Sequence, residues 1–327
     1  AGLTAPVLSW LAAPGEGWDA ALAADVDVSA GAPWLVEEVA AAARRVGHPA
    51  RLHLEADTGL SRGGATAGDW PALLAAARAG EEAGVLRIVG VWSHFACSDE
   101  PQHPANAAQL AAFRDRLADV ERAGLRPQVR HLANSGGALF VPGAAFDLVR
   151  AGIAVYGVSP AADVDPRQLG LLPAMTLRGR LAHVKRVTAG NGVSYGHSEI
   201  LERDTTLGIV PLGYGDGLPR QASGRAEVLV RGRRRRVVGR VCMDQVVVDL
   251  GDDVPGVDVA VGDEVLLFGP GEAGEPQAED WARAAGTIGY EIVTRIGGRV
   301  PRTYAGALVD AGTVPARAGG VPQGAGA

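Results

Sequence analysis

From Val7 to about residue 158, short apolar runs alternate with longer stretches rich in Ala, Arg and Glu. That alternation marks strands feeding crossover helices, and it commits this part of the chain to a parallel sheet with helices packed back on it. The spacing predicts strands over 6–11, 25–29, 50–56, 86–94, 128–132 and 146–150, and helices over 33–46, 70–83 and 106–123. Pro33, Asp69 and Pro71 read as helix starts, and Gly47, Gly84 and Gly124 as stops. About six βα units of roughly 30 residues each fall short of the eight in a closed (β/α)8-type barrel, so a barrel lacking about its first two units is expected.

Beyond Ser159 the texture changes. Segments 176–187, 205–212, 226–231, 234–241, 244–250 and 264–268 are rich in Val, Leu and Thr and separated by Gly-Asp, Arg-Gly and Gly-Pro turns, with one short helix at about 277–285. The predicted organisation is a partial TIM-type barrel over 1–158, a connection over 159–176, a mainly β C-terminal domain over 177–310 and a disordered tail over 311–327. At 327 residues and 47% hydrophobic content the chain can bury more than one core.

A formal net charge of −6 argues against general attraction to nucleic acid or to an anionic membrane surface. The basic run Arg231-Gly232-Arg233-Arg234-Arg235-Arg236 then reads as a hairpin turn with solvated charges. Cys97 and Cys242 are too few and too far apart for a disulfide framework, no metal-ligand spacing appears, and no apolar run reaches spanning length. A cytoplasmic protein without membrane or nucleic-acid partners is expected. The chain opens on Ala1, in a loop-like lead to Val7–Leu11, and is expected to start in the middle of a longer protein.

Three blocks carry the most specific information: Val193-Ser194-Tyr195-Gly196, Gly213-Tyr214-Gly215-Asp216-Gly217-Leu218-Pro219-Arg220 and Gly239-Arg240-Val241-Cys242-Met243-Asp244-Gln245. In this order and spacing they resemble the alanine racemases, from residue 1 to about 306. The resemblance implies a cofactor, pyridoxal 5'-phosphate (PLP), and the interconversion of L- and D-alanine, which supplies D-alanine for bacterial cell-wall peptidoglycan. It also implies a head-to-tail homodimer with shared active sites.

Polar residues at the C-terminal ends of barrel strands are where such folds place chemistry, and here those ends carry Arg62, His94, Ser135 and Arg150. Arg62 follows a Gly-bearing turn and reads on its own as a surface arginine; the resemblance matches it to a contact with the PLP phenolic oxygen and the substrate carboxylate. Glu55 stands where the family often carries a carbamylated lysine that orients this arginine. His94 alone reads as a hydrogen-bonded structural histidine; the resemblance sets it against the PLP ring, helping to hold Arg150. Ser135 reads equally as a helix cap and as a phosphate contact. Gly152 and Ile153 match backbone phosphate contacts, Tyr290 a phosphate-contacting tyrosine, and Arg150 the group facing the pyridine nitrogen. A guanidinium has no acceptor, so the ring nitrogen would stay unprotonated and the ring would be a weaker electron sink, favouring racemisation over transamination.

The resemblance makes Tyr195 one of two catalytic bases, reaching the other subunit's site; an isolated Ser-Tyr-Gly turn would instead read as packing. A phenol is a poor base at neutral pH unless nearby positive charge eases its ionisation, and Arg62 would supply that charge. Met243, with Asp244 beside it, matches a substrate-carboxylate contact. Asp99, Arg220, Arg240 and Ile288 match positions of the access channel, the last three equally readable as stabilising the fold.

The family's second base is a Schiff-base lysine on an N-terminal strand, and Schiff-base chemistry needs an amine. The only lysine here is Lys185, in a predicted strand of the second domain. The favoured expectation is a piece of an alanine racemase, inactive by itself. Two alternatives are a PLP-binding or non-catalytic relative, and a racemase for another small amino acid such as serine.

Overall fold

The computed structural model describes residues 4–252 and 259–306. The predicted tail over 311–327 lies outside them. The chain divides into two compact units, Ala1–Val155 with Ser159–Asp165, and Tyr156–Val158 with Pro166–Ala327.

In the first unit five parallel strands, β1 (Val7–Ser9), β2 (Val26–Ala30), β3 (Ala50–Glu55), β4 (Leu86–Trp92) and β5 (Val129–His131), stand in sequential order. The crossovers carry α1 (Trp18–Ala23), α2 (Pro33–Val46), α3 (Trp70–Glu82) and α4 (Pro104–Arg122), and α5 (Ser135–Phe140) follows β5. Sequential order with crossovers of one hand puts every helix on the same face, so the sheet curls into a half-barrel. Helix α2 shows why these segments fold as read. Pro33 opens it, Arg44 and Arg45 put positive charge in its last turn, Gly47 at φ 87° ends it, and Leu35, Val36, Val39 and Ala43 face the core.

The strands sort their residues by face. Val28, Ala30, Leu52, Leu54, Ile88 and Val91 join the helices in one core with Trp70, Leu73 and Phe113. The alternate residues Asp27, Ser29, His53, Trp92 and His131 are buried as well, outside that core. A bulge between Leu52 and His53 sets His53 opposite Gly90 instead of Val89. At Gly90 a Cβ would lie 2.0 Å from His53 Nδ1, so only glycine allows the imidazole its place.

The second unit is a seven-stranded antiparallel sheet. Its members are β6 (Leu177–Arg180), β7 (His183–Val187), β10 (Thr205–Val210), β11 (Glu227–Val230), β12 (Arg233–Val238), β13 (Val246–Gly251) and β14 (Glu264–Phe268), ordered β6-β14-β11-β12-β13-β10-β7. Its two end strands are consecutive in the chain: Leu181 N–H donates to Asp263 O on one side and Ala182 N–H to Ile209 O on the other. The sheet therefore curls until its ends meet. A short pair, β8 (Gly192–Val193) and β9 (Glu199–Ile200), stands apart from it. Helices α6 (Ala278–Ala285) and α7 (Gly289–Arg295) follow β14, and Trp281 of α6 donates to Leu267 O at 2.6 Å from within the core.

Three expectations are corrected. The strand predicted over 146–150 is absent: Phe146 is left-handed at φ 44°, and the Asp147 carboxylate takes the Arg130 N–H at 2.8 Å, leaving only an isolated bridge between Asn134 and Arg150. The strand predicted over 176–187 is two strands, because the chain changes partners at Leu181–Ala182. Helices α1 and α7 and the β8–β9 pair were not predicted; each is too short to show a period.

Candidate active site

Arg62 is carried by a loop stitched back on β3. The Ala65 N–H donates to Glu55 O at 2.9 Å and the Asp57 N–H to Ala65 O at 2.8 Å, while the Asp57 carboxylate accepts from the N–H groups of Gly59, Leu60 and Ser61. Arg62 itself is exposed. Glu55, at the end of β3, feels the charges of Arg62 and Arg150, but no hydrogen bond or ion pair joins it to either. Burial pushes its carboxyl up to about 7, against the lowering effect of the two guanidinium groups.

Arg150 is the centre of the first unit's polar cluster. It donates to His131 Nδ1 at 2.8 Å, Ser93 O at 2.8 Å, His94 Nδ1 at 3.1 Å and Leu132 O at 3.2 Å. Its Cζ lies 5.1 Å from the Trp10 ring centroid and 5.0 Å from that of Trp92, two indoles that are themselves in contact at 4.9 Å, so it sits against both. Burial brings its pKa down to about 10, which leaves it charged at neutral pH. Its buried Nε has no hydrogen-bond partner.

A relay runs behind it. Arg150 only donates, so His131 must accept at Nδ1 and carry its proton on Nε2. That proton faces His53 Nδ1 at 2.9 Å, which puts the His53 proton on Nε2, 3.3 Å from Asp27 Oδ2. Arg51 closes the line on the Asp27 carboxylate. Burial and the Arg150 charge hold His131 far below its ordinary pKa, and burial and then Arg150 and Arg62 bring His94 to about 4.

Beside this cluster the N–H groups of Gly152 and Ala154 converge on Ser135 Oγ at 2.9 and 3.3 Å, at the start of a 3-10 turn containing Ile153. Asn134, not Ser135, caps α5, accepting from Gly137 N–H at 2.9 Å. The Ser135 hydroxyl is therefore engaged with the 152–154 backbone, where nothing lies within 4 Å of the direction a Gly152 side chain would take.

In the second unit the three sequence blocks converge. Tyr195 stands in the turn between β8 and β9, where Ser194 has φ 60° and ψ −169°, Gly196 φ 69° and His197 φ 42°. Non-glycine residues avoid these values, at a cost of about 1–3 kcal/mol each, and need surroundings that impose them. Ser194 Oγ donates to Arg240 O at 2.7 Å, and Gly239 leaves the room: a Cβ there would lie 2.7 Å from Val193 O and 2.8 Å from Ser194 Cβ. The 213–217 turn docks on the third block through Tyr214 N–H to Cys242 O and Gly215 N–H to Met243 O. Arg299 bridges Asp216 at 3.0 Å and Asp244 at 2.8 Å. Tyr195 and Met243 are 70% and 54% exposed.

Arg62, His94, Ser135, Arg150, Gly152 and Ile153 thus belong to the first unit, and Tyr195, Met243 and Asp244 to the second. Tyr290 is also in the second, on the first turn of α7, and Asp99 follows β4 in the first. Sequence reasoning missed Trp10, Asp27, His53, His131, Asn134 and Arg299. The strands Val26-Asp27-Val28-Ser29-Ala30 and Arg51-Leu52-His53-Leu54-Glu55 alternate with period two, a signal that marks their polar face without showing that it is buried.

A half-barrel with polar groups at its strand ends, followed by a curled antiparallel sheet, is the build of a barrel enzyme with a β domain. The family description "Alanine racemase, N-terminal domain" matches residues 1–160, and "Alanine racemase, C-terminal domain" matches 174–304. Alanine racemase of Frankia casuarinae is 60% identical over 93% of this chain and 78% of its own length, and that of Streptomyces coelicolor 58% over 91% and 76%. The crystal structure of alanine racemase from D-cycloserine producing Streptomyces lavendulae superposes with a TM-score of 0.91 at 55% identity, covering 94% of this chain and 80% of that one. The chain belongs to the alanine racemase family, a family of isomerases. No helix among its described residues is long and apolar enough to cross a membrane.

Proposed function

We propose that this chain provides the PLP-binding and substrate-orienting residues of an alanine racemase that interconverts L- and D-alanine in the bacterial cytoplasm for peptidoglycan synthesis. The observation that carries the reading is Arg150: a charged guanidinium against two indoles, with both terminal nitrogens hydrogen-bonded and a buried Nε donor left open. An aromatic acceptor such as the PLP ring nitrogen fits that donor. The Ser135 hydroxyl, which accepts from the Gly152 and Ala154 N–H groups and so has its own proton to give, suits a phosphate, which accepts hydrogen bonds and carries the opposite charge to Arg62 and Arg150.

When bound, PLP supplies an electron-withdrawing ring that acidifies the Cα–H of an amino acid joined to it. Arg150 cannot accept a proton, so it leaves a ring nitrogen facing it unprotonated and keeps that withdrawal weak. Arg62, exposed on its loop, has a forked donor suited to an alanine carboxylate and a phenolic oxygen. His94 stays neutral near Arg150 and offers a ring face. Tyr195, an exposed phenol on a held turn, exchanges the Cα proton, and Met243 beside Asp244 contacts the substrate carboxylate. Their exposure supports a homodimer in which each second unit completes the partner's site, head to tail. Tyr290, on the first turn of α7, would be a further phosphate-contacting group.

Residues 1–327 contribute one base and no amine at this site. Lys185, exposed on β7 and opposite Leu207 of β10, is placed to serve the sheet. Residues 1–327 alone, incubated in D2O with PLP and each alanine enantiomer, are expected to exchange the Cα hydrogen of one enantiomer and to yield no net inversion. Tyr195→Phe abolishes that exchange. Exchange that survives Tyr195→Phe would remove the tyrosine from its role, and steady conversion of L- to D-alanine would show that a second base is present.

A further inference from the structure

We propose that Ser194 is the positioning residue for Tyr195, locking the tyrosine's turn by a hydroxyl bridge to the Arg240 carbonyl. Its bearing on catalysis rests on the role just given to Tyr195; the lock itself does not.

Ser194, Gly196 and His197 all have positive φ, so the backbone on both sides of Tyr195 is held where an L-residue does not settle unaided. The β8–β9 pair that carries the turn has only two residues a strand, joined by the registers Gly192–Ile200 and Val193–Glu199. So short a hairpin does not fix such a turn by its own ladder. The constraint comes from the 239–242 segment. Ser194 Oγ donates to Arg240 O at 2.7 Å and lies 3.4 Å from Cys242 Sγ, Glu199 Oε2 accepts from Gly239 N–H at 2.8 Å, and the Arg236 guanidinium holds the same carboxylate. The Glu199 contacts anchor the far end of the hairpin. Ser194 is the only side chain adjacent to Tyr195 in sequence that reaches across.

The bridge also joins two blocks with separate duties: one presents Tyr195, the other Met243 one residue beyond Cys242. Held together, phenol and thioether move as one body. Alanine at 194 keeps the backbone cost and loses the bridge; glycine loses the bridge but accepts φ 60° freely.

Hydrogen exchange read by mass spectrometry on the 327-residue chain tests the lock without catalysis. In Ser194→Ala, amides of 193–198 and 239–242 should exchange together, roughly five- to tenfold faster than in the parent, with β10 and β13 unchanged. Ser194→Gly should show the same faster exchange with a melting temperature at or above that of Ser194→Ala, so a poorly folding alanine variant does not decide the matter. Parent-like exchange of both segments in both variants would overturn the lock. In the D2O assay with PLP and alanine, both variants should lower the maximal exchange rate with the half-saturating alanine concentration unchanged. If the segments loosen while the exchange rate holds, the lock stands but does not position a catalytic group, and the positioning role is overturned. Failure of the Tyr195 reading shows separately, as activity retained in Tyr195→Phe.

Discussion

Arg150 donates to Nδ1 of His131 at 2.8 Å, and that single bond sets the proton on every ring behind it. Because a guanidinium never accepts, His131 and His53 are both Nε2–H tautomers, and the line ends on the Asp27 carboxylate. Burial depresses His131, His53 and His94 below the usual imidazole pKa. Imidazole 15N shifts should therefore show neutral rings with Nε2–H at His53 and His131 at pH 8, with the His131 ring unchanged down to pH 5. For His94 the sign is that of a depressed base: its contribution to stability is complete above the unfolded pKa and is lost as pH falls through about 4. Thermal melts at pH 7 and pH 4, compared with His94→Asn, check it; the parent should lose more on acidification, by roughly 2 kcal/mol after allowance for residual solvent contact.

Arg150→Met should destabilise the first unit by about 2–4 kcal/mol, because His131 Nδ1, Ser93 O and Leu132 O lose a buried donor. Urea unfolding measures the cost. Wild-type stability in Arg150→Met would mean that water replaces the guanidinium at no penalty.

Glu279 provides a pH test in the second unit. Its carboxyl is pushed up to about 6 by burial, although it accepts a hydrogen bond from the Gly289 N–H. A raised carboxyl is fully stabilising below the unfolded value, and that contribution is lost as pH rises through 6. Glu279→Gln keeps the acceptor and removes the ionisation. It should match the parent near pH 4 and exceed it by about 1 kcal/mol at pH 8.

Glu55 should make anion binding pH-dependent. Raising pH through about 7 ionises it next to Arg62 and Arg150 and weakens the positive field those residues offer. PLP titrations followed by absorbance should show affinity falling with pH more steeply in the parent than in Glu55→Gln, by roughly fivefold, about 1 kcal/mol, across pH 6–8. Parallel profiles would show that Glu55 is ionised throughout.

What could be read beforehand follows from where each signal resides. Arg62, His94, Ser135 and Arg150 were visible because each follows a strand-like run, and strand ends carry chemistry in barrels. Asp27, His53 and His131 were not, because a polar residue on alternate strand positions reads as solvent-facing until the curl of the sheet encloses it. The same limit hid the break in 176–187: Leu177–Arg180 and His183–Val187 have the same texture, and only their partners, β14 and β10, distinguish them. Arg299 was invisible for a different reason, since its two carboxylates are 83 and 55 positions away in sequence.

The Leu181–Ala182 step makes the second unit's sheet a loop of fabric with one stitched seam. The two borders share no ladder and are kept together by this step, so a long insertion there would let them part and turn a self-contained band into a template on which foreign strands can grow.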